Sequence, residues 1–257
     1  MGGMTFGTIG EQVRMAKQRA DVLLVERGLA ESREKARALL LAGQVRLGDR
    51  VIDKPGILVP EGAELRVLAR TPYVSRGGVK LAHALDVFRL DVTGLTVLDV
   101  GASTGGFTDC LLQRGARRVY ALDVGRGQID YRLRTDPRVA VIEGVNARYP
   151  FPLPEQTDMA VVDVSFISLT LVLPNVLSAL KPGAPVVALV KPQFEAGRKQ
   201  VQRGGLVKDP AIHADVLGRI ILWIVEHGAR LRGLTASPIL GGDGNREFFV
   251  LVENKTD

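Results

Sequence analysis

The sequence predicts an α/β fold, a seven-stranded and largely parallel sheet with helices on both faces, preceded by a small α+β domain. Three observations carry this. From Thr96 onward, wholly apolar runs alternate with helical stretches, and strands buried on both faces read that way. The run Val97-Leu98-Asp99-Val100-Gly101-Ala102-Ser103-Thr104-Gly105-Gly106-Phe107 joins one such strand to a glycine-rich turn that opens a helix. The formal charge of +6 is unevenly placed: residues 1–80 hold 14 Lys and Arg against 9 Asp and Glu, which sets a basic N-terminal part apart from a nearly neutral remainder. Such a part suits a polyanion such as nucleic acid, or is a solvated surface.

Residues 1–16 read as an extension, with Met15 the expected natural start. Within 17–70, Val22, Leu23, Val25 and Leu29 recur at helical spacing over Arg19–Leu29, and Ser32 reads as the cap of a second helix over Arg33–Ala42. Gly43–Val51 reads as strand, Gly48-Asp49 turn and strand, and Glu64–Leu68 as a third strand. Arg33, Lys35, Arg37, Arg46, Arg50 and Lys54 fall on the outer faces. Residues 71–79, with Pro72, Gly77 and Gly78, read as a linker. In 80–257 a helix over Lys80–Phe88 precedes strands at Thr96–Val100, Arg118–Asp123, Val139–Glu143, Met159–Val164, Pro185–Val190, Arg232–Ser237 and Phe248–Val252. The last two lack an intervening helix and are expected to pair antiparallel at one edge.

The glycine loop restricts the ligand. A dinucleotide fingerprint needs glycine where Ser103 stands, because the backbone there approaches a pyrophosphate. Asp99 before the loop, and Asp123 at the end of the next strand, instead suit S-adenosylmethionine, which has a ribose and no phosphate. Asp123 would accept the ribose hydroxyls, and the backbone around Gly101 would hold the methionine end. On the loop alone, an ordinary tight strand-to-helix turn reads the same way.

Ligands of open α/β sheets sit outside the carboxyl ends of the strands. Asp163 in Val161-Val162-Asp163-Val164-Ser165-Phe166, Lys191 in Leu189-Val190-Lys191-Pro192-Gln193-Phe194-Glu195, Glu247 in Asn245-Arg246-Glu247-Phe248 and Lys80 in Gly77-Gly78-Val79-Lys80 stand out. Two Lys and two acids form either a catalytic cluster or a structural salt-bridge network.

The N-terminal pattern Arg19-Ala20-Asp21, Leu24-Val25, Gly28-Leu29, Ser32-Arg33, Ala36-Arg37, Gly43-Gln44-Val45 and Lys54-Pro55-Gly56 resembles the αL, or S-four, RNA-binding domain. That resemblance implies that Arg19, Arg33, Lys35, Arg37 and Lys54 bind RNA. Residues 75–257 resemble the FtsJ-like ribose methyltransferases, whose Lys-Asp-Lys-Glu tetrad falls on Lys80, Asp163, Lys191 and Glu247. Together the two parts resemble the TlyA (hemolysin A) family of bacterial rRNA 2′-O-methyltransferases. The resemblance implies a Rossmann-like methyltransferase sheet, S-adenosylmethionine as cofactor, rRNA or ribosomal subunits as partner, and a cytidine ribose in 16S or 23S rRNA as acceptor. It places the cofactor among Asp99, Gly101, Ser103, Thr104, Gly105, Gly106, Phe107, Asp123, Asn146 and Asp163. Asn146 stands where an acid often follows the third strand, and its amide can still hydrogen-bond adenine. A ribose hydroxyl needs alignment and a general base, for which Lys191 is the candidate, with Asp163 and Lys80 orienting it and Glu247 completing the cluster.

Several alternatives are disfavoured by the residues. Pyrimidine C5 methylation uses a cysteine nucleophile, but Cys110 lies inside the helix after the loop. Exocyclic-amine methylation usually employs prolines where Val164 and Ser165 stand. A cytolysin, which the hemolysin name suggests, would need a membrane-active segment. The apolar run Ile220–Val225 is far short of the ~18 residues of a span, and no leader precedes the first helix. An RNA-binding assembly factor without turnover is the remaining rival. One cysteine excludes an internal disulfide and fits a cytoplasmic protein, and His83, His213 and His227 lack metal-ligand spacing. No membrane or metal partner is expected. The oligomeric state is open, with a monomer the expectation.

Overall fold

The computed structural model describes residues 16–41, 43–48, 50–67, 72–242 and 244–255. Met15, nearly all of the expected extension, Ala42, Asp49, Leu68 and Thr71 lie outside the described residues. The chain divides into two compact units, Met1–Arg70 and Thr71–Asp257.

In the first unit, β1 (Lys17–Arg19) runs into α1 (Ala20–Glu26), followed by α2 (Arg33–Leu41), β2 (Val45–Leu47), β3 (Arg50–Ile52), β4 (Leu58–Pro60) and β5 (Leu65–Val67). Strand β2 lies between β3 and β5, antiparallel to both, while β1 pairs antiparallel with β4. Ala20, Leu23, Leu24, Ala36 and Leu40 bring the apolar stripes of both helices onto Val45, Ile52, Val59 and Leu65. Strands β1 and β4 are missing from the sequence reading, because three residues such as Lys17-Gln18-Arg19 carry no apolar alternation. The first helix ends at Glu26, short of the expected Leu29.

The second unit opens with α3 (Arg76–Phe88) and continues through β6 (Thr96–Val100), α4 (Gly106–Gln113), β7 (Arg118–Asp123), α5 (Tyr131–Arg134), β8 (Val139–Glu143), β9 (Met159–Val162), α6 (Leu169–Ser178), β10 (Pro185–Val190), α7 (Pro192–Glu195), α8 (Pro210–Glu226), β11 (Arg230–Ala236) and β12 (Phe248–Glu253). The sheet order is β11-β12-β10-β9-β6-β7-β8. Strands β10, β9, β6, β7 and β8 are parallel, and β12 is antiparallel to both β10 and β11. The last two strands therefore pair as expected, with β11 at the edge and β12 inside the sheet. One apolar layer, around Leu98, Val162 and Leu173, covers one face of the sheet, and another, around Val97, Leu111 and Phe249, covers the opposite face.

Residues 76–79, expected in the linker, are the first turn of α3. Their glycines serve packing here, since a Cβ on Gly78 would lie 2.3 Å from the Tyr73 ring and one on Gly106 would lie 2.1 Å from Ser75 Oγ and 3.0 Å from Gly78 N. Small residues thus let α3 cross close to α4. Strand β9 stops at Val162, two residues early, which frees Asp163 and Val164 to turn over the sheet edge.

Candidate active site

The carboxyl ends of the parallel strands open onto a cleft of about 690 Å³ lined, among others, by Gly101, Ser103, Asp123, Asn146, Asp163 and Phe166. Its floor is the turn between β6 and α4. Gly101 has φ +84°, and a Cβ there would lie 2.4 Å from the Asp163 carbonyl oxygen, so the chains leaving β6 and β9 touch backbone to backbone. Ser103, also left-handed at φ +48°, donates its N–H to Asp123 Oδ2 at 2.7 Å. The other Asp123 oxygen accepts from Gly125 N at 2.6 Å. Both carboxylate oxygens are thereby fixed in place, and each keeps a lone pair for a ligand hydroxyl. Asn146 Oδ1 accepts from Arg148 N at 3.0 Å, leaving its NH₂ as the group able to donate.

Five of the expected cofactor residues therefore meet at the cleft, and five do not line it. Asp99 is fully buried beneath it, where Oδ2 accepts from Thr108 Oγ1 at 2.6 Å and Oδ1 has no hydrogen-bond partner among the described residues. Burial, reinforced by the nearby Asp163 and Asp123 carboxylates, raises its pKa from the usual 3.8 to about 7. Thr104 uses its carbonyl to accept from Asp130 N at 3.1 Å. Gly105, Gly106 and Phe107 are buried, and the Phe107 ring packs 6.3 Å from that of Phe249. These residues shape the loop from behind.

The tetrad resolves into two ion pairs. Lys191, immediately after β10, has Nζ 2.6 Å from Asp163 Oδ1 and donates to Ser165 Oγ at 2.9 Å. Lys80 in α3 donates to Glu247 Oε2 at 2.6 Å, and both side chains are at least nine-tenths buried. Val190 faces Phe248 across β10 and β12, so Lys191 follows and Glu247 precedes the last paired rung at the carboxyl edge of β10. Asp163 and Ser165 hold Lys191 directly. Lys80 contacts Glu247, so its expected role in orienting Lys191 has no direct contact behind it.

Several supporting residues escaped the sequence reading. Ser165, two residues past Asp163, accepts from Lys191 Nζ, a role that no local pattern marks. Asn245, almost fully buried, accepts from Val207 N at 2.8 Å and donates to Gly205 O at 2.9 Å, tying the segment after α7 to the start of β12. Glu195 accepts from Ser168 Oγ and Leu169 N, both at 2.7 Å, and so anchors one wall of the cleft. Burial pushes the Glu195 carboxyl above the usual carboxylate range. The 197–208 segment also exposes Arg198, Lys199, Arg203 and Lys208.

Residues 73–254 match the FtsJ-like methyltransferase family, and residues 18–65 match the S4 domain. The 16S/23S rRNA (cytidine-2′-O)-methyltransferase TlyA of Mycobacterium tuberculosis is 44% identical over 94% of this chain and 91% of that protein. The chain belongs to the TlyA family of FtsJ-like methyltransferases. YqxC of Bacillus subtilis is 50% identical over 91% of this chain and 85% of that one. A solved Streptococcus thermophilus structure that carries the hemolysin name is 47% identical, with a TM-score of 0.73 over 95% of this chain and 90% of that chain. Among the described residues, no helix is long and apolar enough to cross a membrane.

In the N-terminal unit, the expected RNA-binding residues differ in state. Arg37 and Lys54 are exposed with no ion pair among the described residues, and Lys35 is paired with Glu31. Arg19 and Arg33 both bind the buried Asp21.

Proposed function

We propose that this chain transfers a methyl group from S-adenosylmethionine to the 2′-hydroxyl of a cytidine in 16S rRNA, 23S rRNA or both, in the cytoplasm where ribosomal subunits are made. The observation that carries the reading is the Lys191 amine, held by Asp163 and Ser165 beside an acidic cleft at the carboxyl edge of the sheet. The acceptor is taken from the activity named for the M. tuberculosis relative.

The cleft suits this cofactor by its donor set. Asp123 and Asp163 favour a cationic, phosphate-free ligand with a ribose, and Asp99 Oδ1 beneath them is a buried acceptor without a partner among the described residues. When bound, S-adenosylmethionine supplies a methyl group already activated by its sulfonium. Asp123 would accept the ribose hydroxyls, the backbone around Gly101 and Ser103 would hold the methionine end, and Asn146 would donate to adenine. The chain's remaining task is to place the acceptor oxygen and remove its proton. Lys191 Nζ, held by Asp163 and Ser165, takes that proton as the general base. Asp163 fixes the amine, while the buried Lys80–Glu247 pair keeps the neighbouring strand end in place.

The test incubates the protein and methyl-labelled S-adenosylmethionine with unmodified small subunits, large subunits and naked rRNA. Label in rRNA is expected, and the substrate that takes it identifies the acceptor. Label in none of them overturns the reading in favour of a binding-only role.

A further inference from the structure

We propose that Asp21 is a positioning residue that sets Arg19 and Arg33 as a two-pronged fork for a backbone phosphate, so that an acidic side chain strengthens binding to a polyanion. The proposal rests on the reading of the N-terminal unit as RNA-binding and adds to it the device that organises its cations.

Asp21 stands in the first turn of α1 with no solvent exposure. Arg19, at the end of β1, grips it with two donors, Nε to Oδ1 at 2.9 Å and an Nη2 to Oδ2 at 3.0 Å. Arg33, at the start of α2, adds Nε to Oδ2 at 3.1 Å. Two guanidinium groups from separate elements thus converge on one carboxylate, an approach that their mutual repulsion would otherwise oppose. The hydrogen bond from Arg19 outweighs burial and, with Arg33, holds the Asp21 pKa down at about 2, so the carboxylate stays ionised at any physiological pH.

The geometry faces inward with some donors and leaves others available. Arg33 uses only Nε, and Arg19 uses Nε and Nη2, so three Nη groups have no protein partner among the described residues. Their side chains are 47% and 58% exposed. The Arg19 guanidinium also lies against Gly56, where an added Cβ would sit 3.4 Å from Nη1. A planar guanidinium held in this way matches a phosphate with two parallel hydrogen bonds, and it has already lost the rotamer freedom that binding would otherwise remove. The exposed Arg37 and Lys54 have no such support.

The test is a difference in sign. Asp21→Asn raises the local charge by one, so charge counting predicts tighter binding to in-vitro transcribed 16S or 23S rRNA and a steeper salt dependence. The fork predicts weaker binding by about tenfold, with a salt slope shallower by roughly one phosphate contact. In turnover the loss falls on KM for RNA and not on kcat. The loss should also vanish when Asp21→Asn is made in a chain that already carries Arg19→Ala and Arg33→Ala. Equal or tighter binding by Asp21→Asn overturns the proposal, as does a loss that persists in that background, the mark of a merely structural residue. Should Asp21→Asn fail to fold, full-length Arg33→Lys keeps the charge and removes the Nε–H that meets Asp21. A comparable loss supports the fork, and unchanged affinity overturns it. If the unmodified protein binds neither rRNA, the RNA reading itself fails, an outcome distinct from binding that ignores Asp21.

Discussion

Lys191 and Asp99 divide the labour of the cleft, one at its rim and the other beneath its floor. Lys191→Ala should reduce methyl transfer by at least ~100-fold, the scale of a lost general base, while calorimetry shows cofactor affinity little changed. Retained turnover would remove Lys191 from the role of base. Asp99 gives a pH signature. Because its pKa is raised from 3.8 to about 7 in the fold, its contribution to stability is fully present below pH 4 and is lost as pH rises through 7. Without cofactor, the difference in Tm between Asp99→Asn and the unmodified protein should therefore grow in favour of the variant from pH 4 to 8, as read by thermal melts. Cys110 is fully buried, and burial raises its thiol to about 11, which leaves it unsuited to act as a nucleophile.

At the level of the elements, the site depends on backbones that approach closely. Gly101→Ala would place a Cβ against the Asp163 carbonyl at a φ that side chains rarely adopt, so cofactor affinity should fall and the cost in stability should be about 1–3 kcal/mol, read from chemical denaturation. Strand ends explain how much of this was legible. Asp123 ends an apolar strand, Asp163 and Lys191 each follow one, and Glu247 precedes one, so alternation alone brought them to one edge. The close contact of α3 with α4 was not legible, because Gly77-Gly78 reads equally as a break or as a packing face. Asn245 and Glu195 escaped because their partners lie 40 and about 27 residues away in sequence, and no local pattern encodes such a bond. Phe107 and Thr104 fell in the right loop but on its far side, a distinction set by the turn's left-handed residues at Gly101, Ser103 and Gly105.

Across the whole molecule, basicity and chemistry are separated along the chain. The N-terminal unit has its own core and the clustered cations, and the second unit contains the complete cleft and both ion pairs. A chain beginning at residue 71 should therefore keep its cofactor affinity and lose most of its rRNA affinity, with a flatter salt dependence, as measured by filter binding across a salt series. The charge asymmetry was visible in sequence, but the paired state of Arg19 and Arg33 was not, since nothing in the order of residues marks Asp21 as buried between them.

The central claim is that the methyl group goes to a ribose oxygen, and the most direct measurement is alkaline hydrolysis of rRNA labelled by this protein. Methylation of a 2′-hydroxyl removes the nucleophile for strand cleavage. The account predicts label in an alkali-resistant dinucleotide with cytidine on the 5′ side. Label released in a mononucleotide would mean a methylated base and would contradict the roles assigned to Lys191 and its partners.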